Sequence, residues 1–180
     1  MTWACSYCDR TLQLLLRTFF DIIRLRKGPE HVPDSPVVLL FAVGLFAIAM
    51  LVSGALVQPE SNDSIYLSIA VSVAGYGLYW FVLSVTGFAH RFLPTVTSIM
   101  ACGSILTIVM VIAFLALNPL LGTNTAAVIA WLILIWSVPV KGHIIARAIG
   151  QHWFVGIAIA LAIFIMQRIA YDSLVANTAG

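Results

Sequence analysis

Five long apolar stretches, separated by short polar connections, constrain this chain more than any other feature. About 20 apolar residues cross roughly 30 Å of hydrocarbon as a helix. The runs near Val37–Val57, Ile65–Phe88, the segment after Pro94 to Leu117, Ala126–Val140 and Trp153–Ala170 each meet that length, or come near it. Backbone amides inside lipid must be satisfied within the segment, so such runs fold as helices. Of the 180 residues, 62% are hydrophobic and 9% charged, where a soluble domain carries about a quarter charged. The sequence predicts an all-α polytopic membrane protein with no room for a second, water-soluble domain. Residues 1–35 form an N-terminal segment, 36–172 the five-span domain and 173–180 a short tail.

The segment Thr11–Pro36 sets how the spans are threaded. On a helical wheel Leu12, Leu15, Leu16, Phe19, Phe20, Ile22 and Ile23 share one arc, opposite Gln13, Arg17, Asp21 and Arg24. Asp21 is spaced to pair with Arg17 or Arg24. Arg26 and Lys27 suit a helix C-terminus, and Gly28-Pro29 is expected to stop the helix. The sequence predicts an amphipathic helix, too charged to span. It can lie in the membrane interface, pack on the ends of its own spans, or dock a partner. Asp34-Ser35-Pro36 then reads as an N-cap region with proline in the first turn of the first span.

Basic residues give the orientation. Eight of the nine Lys and Arg fall on one side of a five-span threading: Arg10, Arg17, Arg24, Arg26, Lys27, Arg91, Lys141 and Arg147. Only Arg168 falls on the other. Positive loops stay inside, so the N-terminus is expected in the cytoplasm and the C-terminus outside. The first ten residues contain no apolar signal-peptide core, so the first span is expected to act as the insertion signal. Pro139 should bend the fourth span, which then continues toward Ala148, with Lys141 snorkelling to the nearby headgroups and Trp153 anchoring at the same interface.

Few residues offer chemistry. No Asp or Glu lies in a predicted span, which argues against an ion-coupled pump. No Walker loop, GxSxG, HExxH or dinucleotide fingerprint occurs. Cys5-x-x-Cys8 is a lone CxxC, short of the four ligands zinc needs, although two chains could share a site or the pair could be redox-active. Cys102 reads as a small packing residue. The reading is therefore of a protein without catalytic, cofactor or metal residues and without a nucleic-acid partner.

Two sets of candidate contacts remain. Arg17, Arg24, Arg26, Lys27, Arg91, Lys141 and Arg147, joined by His31, His90, His143 and His152, can form a basic rim for anionic headgroups or a partner. Tyr76, Tyr79 and Trp80 share a face of the second span near the bilayer centre. Their polar groups can bond to Ser84, Ser104 or Thr107, or line an intramembrane groove. Small residues recur at Gly156/Ala160, Ala158/Ala162, Ser68/Ser72 and Ala70/Ala74, spaced for close helix packing within the bundle or across a dimer.

The cytoplasmic N-terminal segment, five spans and the closing pattern Trp131, Trp136-Ser137, His143 and Ala146-Arg147-Ala148 together resemble the YIP family, over about residues 15–172. The resemblance implies a five-span fold of the bacterial inner-membrane type. Eukaryotic members contact Rab GTPases, but their Asp-Leu-Tyr-Gly-Pro motif is absent here, so no functional residue is carried over. The leading expectation is an accessory or scaffold subunit of a membrane assembly, or a membrane organiser, in contact with lipids. The alternative is a small permease or lipid-handling protein, which a continuous polar cavity would favour.

Overall fold

In a computed structural model the chain is helical throughout, with six α-helices, two 3-10 turns and no strand among the described residues. The backbone is described for residues 3–56 and 62–178, and side chains for 13–56 and 66–175. The side chains of Cys5, Cys8 and Arg10, the first connection and the last residues of the tail lie outside the described residues. The helices are α1 (Trp3–Ile23), α2 (Pro36–Leu56), α3 (Asn62–Val85), α4 (Phe92–Leu121), α5 (Thr123–Ile149) and α6 (Trp153–Thr178). Five of them, α2 to α6, are long and apolar enough to cross a membrane.

Helix ends follow local chemistry, with two departures from expectation. Ser35 caps α2: its Oγ accepts the Val37 amide at 3.3 Å, and its carbonyl accepts the Val38 and Leu39 amides. Pro36 takes the first helical position, where its missing N–H costs nothing. The first departure is the end of α1. The chain turns at Leu25, not at Gly28, with Leu25 in the left-handed region at φ 60°. The Arg26 amide donates to the Asp21 carbonyl at 2.9 Å and the Leu25 amide to Ile22 at 2.8 Å, a Schellman closure. A non-glycine residue there costs about 1–2 kcal/mol. Leu25 packs against the core, which offsets that cost. Gly87 and Gly150, at φ 82° and 64°, close α3 and α5 by the same pattern without the penalty.

The second departure is at 118–125, the stretch left between the third and fourth apolar runs as a short connection. α4 and α5 are joined instead by Gly122 alone, at φ 79° and ψ 160°, a conformation open to glycine. The Gly122 amide donates to the Asn118 carbonyl, and the Thr123 hydroxyl to the Asn118 side chain at 3.0 Å. α5 runs without a break through Pro139.

The spans do not pack in chain order. α4 packs against both α2 and α5, α5 against α6, and α6 against α3. The result is a ring in the order α2, α4, α5, α6, α3. It closes loosely between α3 and α2, where Phe46 and Tyr76 meet edge to face at 6.2 Å. α4 is the most buried span. Its buried Thr95, Thr97, Ser98 and Ser104 each donate to the carbonyl four residues back, at 2.6–2.7 Å, so polar groups enter the core already satisfied.

The tightest seam lies between α5 and α6. A Cβ on Gly142 would sit 2.7 Å from the Ile157 Cα, and one on Gly156 would strike the Gly142 carbonyl. The Gly156/Ala160 pair thus serves packing within the chain. Ala158, Ala162, Ala70 and Ala74 face outward. Leu40, Leu51, Val85 and Leu120 are among many exposed apolar side chains on the outside of the ring, the arrangement expected of a lipid-facing surface.

Candidate functional site

The ring surrounds a mainly apolar cavity, set with a few polar groups, that all five spans line. Its inner chamber, about 190 Å³, is bounded by Phe46, Met50, Ser72, Gly75, Tyr76, Tyr79, Ser104, Thr107, Ser137, Lys141 and Gln167, among others. A wider chamber of about 620 Å³ shares Met50, Ser72, Leu134, Lys141 and Gln167 with it. That chamber rises past Ser53, Ser68, Trp131, Phe164, Arg168 and Tyr171, toward the end of the bundle opposite α1. Among the described residues no Asp or Glu lines either chamber.

Lys141 is the central residue. At 1.5 Å per residue it lies about 12 Å along α5 from Ile149. Leu134, Ser137 and Lys141 follow one another on a single helix face and line the cavity together. A lysine within a span is costly, with about 2.5–3.5 kcal/mol at the span centre as the upper limit on insertion scales. Lys141 has no hydrogen-bond or ion-pair partner among the described residues. The same is true of the hydroxyls of Tyr76, Tyr79 and Ser137. Yet every fully enclosed side-chain nitrogen or oxygen among the described residues has a partner. These four polar ends therefore face open cavity.

The other polar groups are committed. Ser72 donates to the Ser68 carbonyl at 2.8 Å and Thr107 to Gly103 at 3.0 Å, leaving only oxygen lone pairs for the cavity. Gln167 donates to the Val71 carbonyl at 3.2 Å, and Gly75 leaves the room its amide occupies. Arg168 meets Asp172 at 3.3 Å and lies 5.8 Å from the Tyr171 ring.

The remaining candidate cations gather at the α1 end, where each described contact is compensated or solvated. Arg91 and Arg147 line a cleft of about 640 Å³ with Glu30, Gln151, His152 and Trp153. Arg91 donates to the Ala148 carbonyl at 3.2 Å and stacks over Phe88 at 5.2 Å. Asp21 pairs with Lys27 at 2.8 Å rather than with Arg17 or Arg24, because the turn at Leu25 brings Lys27 back over it. That hydrogen bond holds the Asp21 carboxyl below the usual range. His143 Nε2 donates to the Lys27 carbonyl at 3.2 Å. Arg17, Arg24 and Arg26 are exposed. α1 itself rests on α4 and α5 through Phe19 and Ile22, both fully buried, while Leu14 and Phe20 stay exposed. Buried Cys102 points its thiol at the Phe19 carbonyl, 3.8 Å away.

Three sequence expectations change. Lys141 does not join the basic rim; it lines the cavity that opens toward the other end. Trp80 does not line the groove: it is 51% exposed, while Tyr79 is 3% exposed. α3 turns only one arc inward, and Trp80 falls on its outer edge. Gln167 was not among the expected residues, although an amide within an apolar run is a visible signal.

Fold and cavity together define an all-helical chain with five helices long and apolar enough to cross a membrane and an amine lining the space between them. The chain matches no family model, and the searches of curated proteins and of solved structures found no significant match.

Proposed function

We propose that this protein is a small permease or lipid-handling membrane protein that takes its ligand into the ring between the spans. One observation carries the reading: a cavity between the spans, extending toward the end opposite α1, is lined by a lysine with no partner among the described residues. A scaffold that only packs against other proteins has no use for such a chamber, and a charge without a partner in a span is a functional-site signal by default. Among the described residues no carboxylate lines the cavity beside Lys141 to serve ion coupling, so the reading is of binding and passage rather than pumping or catalysis.

The positive-inside bias puts α1 and the Arg91–Arg147 cleft in the cytoplasm and the wide chamber on the far side, in a bacterial inner membrane. In that setting α1 lies at the interface as an amphipathic helix. Phe19 and Ile22 hold it to the bundle, and Arg17, Arg24 and Arg26 are free for anionic headgroups. The five-span count and the pattern around Trp136 and Arg147 support a YIP-like reading of the architecture.

The test is mass spectrometry of the full chain purified in a mild detergent, scoring co-purified lipids, small molecules and proteins. A retained lipid or small molecule at fixed stoichiometry is expected. A stoichiometric protein partner with nothing held by the chain itself would overturn the reading in favour of an accessory subunit.

A further inference from the structure

Resting on that reading, we infer that the cavity recognises an oxyanion head, a carboxylate or a phosphate, seated against Lys141 with Tyr76, Tyr79 and Ser137 as neutral donors. The argument is one of hydrogen-bond capacity. Lys141 offers three N–H donors and no acceptor, and the two phenols and the Ser137 hydroxyl each offer one more. All four face open cavity without a protein partner. The hydroxyls that could have served as acceptors for a cationic guest, Ser72, Ser104 and Thr107, do not form a carboxylate-like cluster. They spend their protons on their own helices and bring no charge. A cation would meet an ammonium with no acid to offset it. A neutral guest would leave the ammonium uncompensated in a low-dielectric chamber. An oxyanion satisfies both donor number and charge, and charge-assisted hydrogen bonds are the strong ones.

The chamber shape extends the point. The donors line the inner chamber, and the wide chamber adds Val71, Trp131 and Phe164 beside Ser53, Ser68, Arg168 and Tyr171. The head of the guest would therefore lie deep and any apolar body would extend toward Arg168 and Tyr171. The same head can come from two sources, an acyl-chain lipid or a small water-soluble anion. Phe46, Met100, Leu106 and Ile133 also line the inner chamber, so the head would sit on its donors among apolar side chains, and either source fits the lining.

The experiment is ligand-induced thermal stabilisation of the full chain in a neutral maltoside detergent, read by tryptophan fluorescence. The probes are decanoate and decyl phosphate as amphiphilic oxyanions, acetate and inorganic phosphate as soluble ones, and decanol as the uncharged analogue. Stabilisation by decanoate or decyl phosphate well beyond decanol is expected for the wild type, and response to acetate or inorganic phosphate as well would assign the soluble source. Lys141→Met should weaken apparent oxyanion affinity about 10- to 100-fold, and Lys141→Arg should recover most of it. Tyr79→Phe, which keeps the ring and removes one donor, should give a smaller loss of a few-fold. Equal stabilisation by decanol and decanoate, or an unchanged oxyanion response in Lys141→Met, would overturn the inference while leaving the cavity as a binding chamber. No response to any probe would overturn the inference and the ligand-binding reading together.

Discussion

The rim and the interior of this bundle treat positive charge in opposite ways. At the α1 end Arg91 has a carbonyl and an aromatic ring, Lys27 has Asp21, and His143 has the Lys27 carbonyl. Lys141, on the same helix as His143, turns into the ring and meets no acid and no acceptor among the described residues. A cation at a helix end is satisfied by water, carbonyls and headgroups, and its presence is explained by topology alone. A cation inside the bundle has none of these. Its retention in an otherwise apolar span calls for a partner from outside the chain.

That contrast can be broken most sharply by removing the charge itself. Lys141→Met should stabilise the ligand-free protein, by up to about 2.5–3.5 kcal/mol if the full insertion penalty is relieved. Reversible unfolding in mixed micelles measures it, and a destabilised variant would mean that Lys141 is satisfied within the fold. Gly156→Leu attacks the seam that fixes α5 against α6 and so aims Lys141 inward. Overpacking against the Gly142 carbonyl and Ala146 should cost about 1–3 kcal/mol and abolish any oxyanion response. Unchanged stability and binding would show that the close glycine contact does not set the cavity.

Effects at the rim should be smaller and of another kind. Replacing Arg24, Arg26 and Lys27 together with Gln should leave the unfolding midpoint nearly unchanged. It should weaken binding to vesicles containing anionic lipid by about 1 kcal/mol per charge; equal binding by both proteins would remove the headgroup role of α1. Smallest of all is the Asp21–Lys27 pair. Its carboxyl is held below the ordinary range, so its contribution is complete above the unfolded-state value, about 3.9, and fades as pH falls through the lowered folded-state value. Asp21→Asn should therefore be slightly less stable than the wild type between pH 5 and pH 7, and that difference should shrink below about pH 4.

Local rules made the spans legible and left the cavity obscure. The five apolar runs, the Ser35 cap and the glycines at 87 and 150 each carry their structural meaning in a few adjacent residues. The end of α1 is different, because Leu25 accepts a strained backbone only for the sake of packing contacts that come from elsewhere in the chain. Lys141 is the sharper case. Counted along the chain it falls with Arg147 among the charges expected to set topology. Its direction depends on which face of α5 meets α6, and Gly142 and Gly156, fourteen positions apart (156 − 142), decide that by contact across two helices. Likewise Tyr76 and Tyr79 were legible as an intramembrane pair, but the ring order α2, α4, α5, α6, α3 was not. Nothing in short connections announces that α3 rests on α6, leaving the gap beside α2 in which the cavity forms.

The most direct test of the account is the accessibility of position 141 in intact membranes. In a chain with Cys5, Cys8 and Cys102 replaced by Ala, Lys141→Cys is exposed to a small, membrane-impermeant thiol reagent from each side in turn. Labelling from the side that carries the C-terminus, slowed by decanoate added first, is the predicted result. A cysteine that stays unreactive from both sides, or reacts only from the side of α1, would contradict a cavity that leads to Lys141 from the far end of the bundle.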